Sequence, residues 1–208
     1  MQARKFCVVA NWKCNGTTDF VRDIVTNLIN ELEYDTKILD FVVLPGMLHI
    51  NLAKARLNDN IMIGSQNVCQ YGQGAYSGEV SAEQLADYEI EWVLIGHSER
   101  RRLCNEDQEV ITAKVNQARD ANLGVIYCVG ENLEQRENEE SSEVIFSQLA
   151  SIKEKLDETE WRKVIIAYEP IWALNTGKIS SADQTQEAIE MIRQWLNDNC
   201  SEKIAQET

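Results

Sequence analysis

Proline is almost missing from this chain: Pro45 and Pro170 are the only two among 208 residues. No Ser-rich, Gly-rich or other low-complexity stretch replaces it, so nothing reads as a linker, and residues 1–208 are expected to form one domain. No run of about 18 apolar residues occurs, which argues against a membrane-spanning helix. The start, Met1-Gln2-Ala3-Arg4-Lys5-Phe6, runs into an apolar stretch too short for a signal peptide. Positive charge is scarce, with 20 Lys and Arg against 34 Asp and Glu and a net charge of −14. Such a surface repels a phosphate backbone and argues against nucleic acid as a partner. A small phosphorylated molecule stays open, because a few local cations override the global field. Histidine is limited to His49 and His97, and the six cysteines (Cys7, Cys14, Cys69, Cys104, Cys128, Cys200) show no CxxC spacing. A zinc site is therefore not expected, and the thiols read as reduced groups of a cytoplasmic protein.

What is present is an alternation. Apolar runs at 6–11, 40–44, 61–66, 92–96, 123–130 and 164–169 read as six strands. Most are continuous, as in Val42-Val43-Leu44 and Val164-Ile165-Ile166, which predicts strands buried on both faces of a parallel sheet. Between them, 18–32, 109–121, 142–156 and 182–199 carry apolar residues at helical period; in the first these are Phe20, Val21, Ile24, Val25, Leu28, Ile29 and Leu32. Ser81 and Ser181 are expected helix starts. Strand–helix alternation predicts an α/β fold with right-handed crossovers. Pattern alone does not separate a doubly wound sheet from a barrel. The first turn, Asn11-Trp12-Lys13-Cys14-Asn15-Gly16, lacks the GxGxxG fingerprint that would favour the former.

In parallel α/β folds, sites form at the carboxyl ends of strands. Those ends carry Asn11 and Lys13, then Gln66-Asn67, Gly96-His97-Ser98-Glu99-Arg100, Cys128-Val129-Gly130-Glu131 and Tyr168-Glu169-Pro170. This inventory suits acid–base chemistry on a small anion. Glu169 is a candidate base, His97 a candidate for polarising a carbonyl or carrying a proton, and Lys13 a counter-charge for phosphate or an oxyanion. Taken singly, each has a plainer reading: a solvated or capping carboxylate, a hydrogen-bonded structural histidine, or a Lys13–Glu99 ion pair. Their convergence on one face favours chemistry.

The motifs around these residues, together with Gly74-Ala75-Tyr76-Ser77-Gly78-Glu79 and Ala167-Tyr168-Glu169-Pro170-Ile171-Trp172-Ala173, resemble the triosephosphate isomerases in order and spacing over most of the chain. The resemblance implies a TIM (β/α)8-type barrel and the interconversion of dihydroxyacetone phosphate and glyceraldehyde 3-phosphate, with no cofactor and no metal. It assigns Glu169 as base, a neutral His97 as electrophile, and Lys13 as the cation facing phosphate and enediolate. Asn11 and the backbone N–H of Asn175 are assigned to substrate binding, and Ser98, Glu99, Cys128 and Ser77 are supporting residues. Residues 170–178 correspond to the lid, with Asn175 where glycine is usual. Residues 67–80 correspond to a loop that docks beside Cys14 of a second subunit, which implies a homodimer.

The family's barrel has eight strands in about 250 residues; six are legible here. The resemblance therefore implies a barrel with six of its eight strand–helix units, an open phosphate cradle and exposed edges at the first and sixth strands. Three readings of that follow: a shortened form of an ordinary isomerase, a partner chain or second copy supplying the missing strands, or an inactive isomerase-like protein with a structural or interaction role. The isomerase reading is preferred, because a scaffold has no physical need for Asn11, Lys13, His97 and Glu169 together.

Overall fold

The computed structural model describes residues 4–174 and 176–208. Six strands, β1 (Phe6–Asn11), β2 (Leu39–Leu44), β3 (Met62–Ser65), β4 (Trp92–Ile95), β5 (Gly124–Val129) and β6 (Val164–Tyr168), form one sheet in the order β1-β2-β3-β4-β5-β6. Every pair is parallel. A doubly wound sheet reverses its strand order part-way, whereas this order never does. Right-handed crossovers then put the helices on one face and let the other face curl on itself, as in a barrel.

The register explains the unbroken apolar runs. Val9, Val42 and Met62 lie opposite one another across β1 to β3, and Leu94, Ile126 and Ile165 do so across β4 to β6. These residues pack with Leu44 and Cys128 into one inner cluster. Their alternate neighbours Val43, Ile63, Val93, Ile95, Val125 and Tyr127 belong to the outer cluster, under the helices. Both faces of the central strands are therefore covered, most completely at β5, where every residue is buried. Trp92 takes the room left by Gly124, where an added Cβ would lie 2.5 Å from the indole ring. Its Nε1 donates to Met62 Sδ at 3.3 Å.

The helices are α1 (Thr18–Ile24), α2 (Ile50–Lys54), α3 (Ala82–Asp87), α4 (Ser98–Leu103), α5 (Gln108–Asp120), α6 (Leu133–Glu137), α7 (Ser141–Lys153), α8 (Ala182–Asn199) and α9 (Glu202–Glu207). Ser81 and Ser181 do cap α3 and α8, each in a reciprocal box with the glutamine three residues on. The helix expected over 18–32 is shorter in α-form: beyond Ile24 it widens into a π turn at Val25–Ile29. The wider turn brings Asn30 round to bond Asn58 from both its side chain and its carbonyl, and to donate to Arg56 O. The five- and six-residue helices are too short to show a period in the sequence.

At the ends of the strand order, β1 and β6 each have one neighbour among the described residues. Phe6 is 70% exposed and Val8 43%. A cavity of about 860 Å³ lies between these strands and α8, lined by Phe6, Cys7, Ile165, Ile166, Ile192 and Leu196 with Arg4, Arg162 and Arg193.

Candidate active site

The polar strand ends converge as the apolar patterning requires, because parallel strands place all their carboxyl ends on one side of the sheet. His97 follows β4 and caps α4: its Nδ1 accepts the Glu99 backbone N–H at 3.2 Å. With Nδ1 engaged as an acceptor in this contact, Nε2 is the ring nitrogen left to donate. That Nε2 lies 3.0 Å from Glu169 Oε1. The helix terminus thus fixes which His97 nitrogen can donate.

Glu169, directly after β6, is held from three directions. Ser98 N donates to Oε2 at 2.8 Å, Ser98 Oγ to Oε1 at 3.0 Å, and His97 Nε2 to the same oxygen. Its side chain is 17% exposed and that of His97 12%. Burial pushes the Glu169 carboxyl up, but the hydrogen bond and charge of His97, followed by the two Ser98 donors, outweigh it and the net direction is down. The Ser98 bonds stabilise the carboxylate whichever form His97 takes. The resting arrangement therefore stores an ionised, weakly basic Glu169. Its backbone comes so close to β5 that an ideal Cβ on Gly130 would meet the Glu169 carbonyl oxygen at 2.0 Å, which excludes any side chain there.

Lys13 lies beyond β1 with φ of 54°, the left-handed region that non-glycine residues seldom occupy. Asn11 Oδ1 accepts its N–H at 2.9 Å, and its ammonium pairs with Glu99 Oε1 at 2.8 Å. The other Glu99 oxygen is 3.6 Å from His97 Nδ1. Since Nδ1 already accepts a proton from the backbone, this last approach is proximity rather than an ion pair. Cys128 faces the barrel interior, buried, and its thiol is pushed well up by burial and then by the charge of Glu169. Its side chain fills space in the inner cluster, and burial of this kind lowers a thiol's reactivity.

Asn11, Lys13, His97, Ser98, Glu99, Cys128 and Glu169 thus form one connected group. Ser77 does not join it: it is exposed on loop 67–80, where Tyr71 and Tyr76 stack at 4.3 Å. Asn175 lies outside the described residues.

Residues 6–208 match the triosephosphate isomerase family. The chain belongs to that family. Its relatives include the triosephosphate isomerase of Paracoccidioides lutzii, 42% identical over 203 residues that make up 98% of this chain and 81% of that protein. The cytosolic triosephosphate isomerase of Oryza sativa is 43% identical over 206 residues, 99% of this chain and 80% of the relative. The chloroplastic triosephosphate isomerase of Secale cereale is 43% identical over 202 residues, 97% of this chain and 66% of the relative. Cytosolic and chloroplastic members match equally well, and no helix among the described residues is long and apolar enough to cross a membrane.

In this member of the triosephosphate isomerase family, a second polar group joins the end of β5 to Trp172, just beyond β6. Glu131 is fully buried and accepts from Arg136 Nη1 and Tyr168 OH, both at 3.1 Å. The Arg136 guanidinium lies 4.6 Å over the Trp172 ring. Trp172 N donates to Glu131 O at 3.1 Å, and its indole N–H reaches Tyr168 OH at 3.4 Å. Burial, ahead of the neighbouring charge of Glu131, pushes the Tyr168 phenol up to about 12. Sequence reading reached Glu131 and Tyr168 as strand-end groups without a role and passed over Arg136. The available signal was the Tyr168–Trp172 spacing, which brings two polar aromatic edges together.

Proposed function

We propose that this chain interconverts dihydroxyacetone phosphate and glyceraldehyde 3-phosphate, a small phosphorylated triose pair, by proton transfer through an enediolate. This division of labour is the known chemistry of the family. Glu169 takes the proton from the carbon beside the carbonyl and returns it to the neighbouring carbon. His97, neutral, offers its Nε2 proton to the carbonyl oxygen. Lys13 faces the phosphate and the developing negative charge. Asn11 orients Lys13 and the substrate, and the backbone of Asn175 meets the phosphate.

One observation carries the reading: the His97 ring, with Nδ1 accepting a backbone N–H, holds its Nε2 3.0 Å from the largely buried Glu169 carboxylate. It supports an electrophile and a base acting on adjacent atoms. The same contacts define the first step. Glu169 must exchange Ser98 and His97 for the substrate, and losing those donors raises its basicity when it is needed. Residues 170–178 follow it directly in the chain, so lid closure and movement of the base are coupled.

We also propose that loop 67–80 and the exposed segment around Leu48, 93% accessible, meet a second copy beside exposed Cys14, giving a homodimer. The free cysteines support a reducing, cytosolic setting.

The test is turnover of dihydroxyacetone phosphate by the wild-type chain and by Glu169→Gln. The expected result is measurable isomerisation that falls by about a thousandfold or more in the variant. Equal rates in the two proteins, or none in either, would remove the isomerase reading.

A further inference from the structure

Lys13 carries the site's cation on a backbone conformation that costs energy and lies at an exposed turn, so something must hold it there. The Asn11 side chain takes its N–H, and Glu99 takes its ammonium. Its carbonyl is the remaining handle. Gln66, one residue beyond β3, donates from Nε2 to Lys13 O at 3.0 Å and from the same nitrogen to Leu44 O at 2.8 Å. A primary amide has two N–H bonds, and each finds one acceptor. Leu44 O is the last carbonyl of β2 and also receives the N–H of Trp12 at 3.1 Å. One side chain from the third strand thus joins the end of the second strand to the turn after the first.

We propose that Gln66 is a positioning residue for the reaction: it keeps Lys13 left-handed, and thereby keeps the ammonium beside Glu99 and the His97 end of the cluster. This rests on the reading of Lys13 as the cation that meets substrate. Two carbonyl oxygens converge on Gln66, so the role needs a neutral double donor of this length. Methionine fills the same space and donates nothing. Glutamate sets an acceptor against two acceptors.

The experiment uses Gln66→Met and Gln66→Glu in the full chain, with two readouts. The first is the three-bond HN–Hα coupling of Lys13 in isotope-labelled protein. It is expected to leave the left-handed value in both variants; a Lys13 that keeps its wild-type coupling overturns the proposal. The second is steady-state turnover. The expected outcome is a kcat/KM lower by about tenfold to a hundredfold per folded molecule, with a raised KM and Glu below Met. A drop in melting temperature with unchanged kcat/KM per folded molecule marks a purely structural residue and also overturns it. If Gln66→Glu does not fold, Gln66→Met decides both readouts. If the wild-type chain shows no turnover, the isomerase reading fails, while the Lys13 coupling still decides whether Gln66 holds the backbone.

Discussion

The arc from β2 to β5 and the flanks at β1 and β6 are made of similar residues but sit in different surroundings. Every residue of β5 is buried, while the first three residues of β1 are exposed. His97, Ser98 and Cys128 stand on the arc. Asn11, Lys13 and Glu169 stand on the flanks. The half of the site on the arc is placed by packing from both sides. The half on the flanks is placed by polar bonds reaching out from the arc: Gln66 and Glu99 to Lys13, Ser98 (backbone and hydroxyl) and His97 to Glu169. The flank residues of the site thus take their orientation from polar contacts with the arc.

The sharpest way to test this contrast is to cut into the arc. Ile126→Ala empties fully buried space between β4 and β6 and is expected to cost about 2–5 kcal/mol in chemical denaturation. A smaller loss would mean that the arc is no better packed than the flanks.

Ser98→Ala probes the tie from arc to flank. Glu169 is held below its ordinary value, so its contribution to stability is complete above the unfolded carboxylate pKa and is lost as pH falls through the lower folded value. Removing the Ser98 hydroxyl donor moves the folded value back up. The acid limb of kcat/KM, and the Glu169 carboxyl titration followed by NMR, should both shift to higher pH. A shift to lower pH would contradict the assigned direction.

Glu99→Gln keeps the shape of its side chain and removes half of an ion pair whose members are each more than 40% exposed. The expected loss in kcat/KM is about fivefold at most, and it should shrink as salt is added. A loss that ignores salt would put Glu99 in a role other than that of partner to Lys13.

The mildest change closes the comparison. Val8→Ala on the exposed side of β1 should alter stability by no more than about 0.5 kcal/mol. A cost like that of Ile126→Ala would show that the flank is covered in solution.

The six strands were legible as unbroken apolar runs, which in the arc reflect burial on both faces. The run 123–130 needed no tertiary knowledge to be read. The helix over 18–32 was legible as a period but not in its π turn, since that turn answers to Asn58, far along the chain. The group around His97 and Glu169 was legible as polar residues at apolar ends. Its resting geometry was not, because a sequence does not say that Ser98 will hold the base by both its N–H and its hydroxyl. Gln66 was visible at its strand end. What hid its role is that the role depends on the backbone angle of a residue 53 positions earlier.

Trp172 gives the chain an optical handle. It is one of five tryptophans, buried just beyond β6, with a guanidinium over its ring and its indole N–H directed at a phenol. Indole emission responds to both a nearby cation and a change of hydrogen-bond partner. A chain keeping Trp172 alone would therefore report any change in this guanidinium and phenol contact as a change in colour and intensity, without any attached dye.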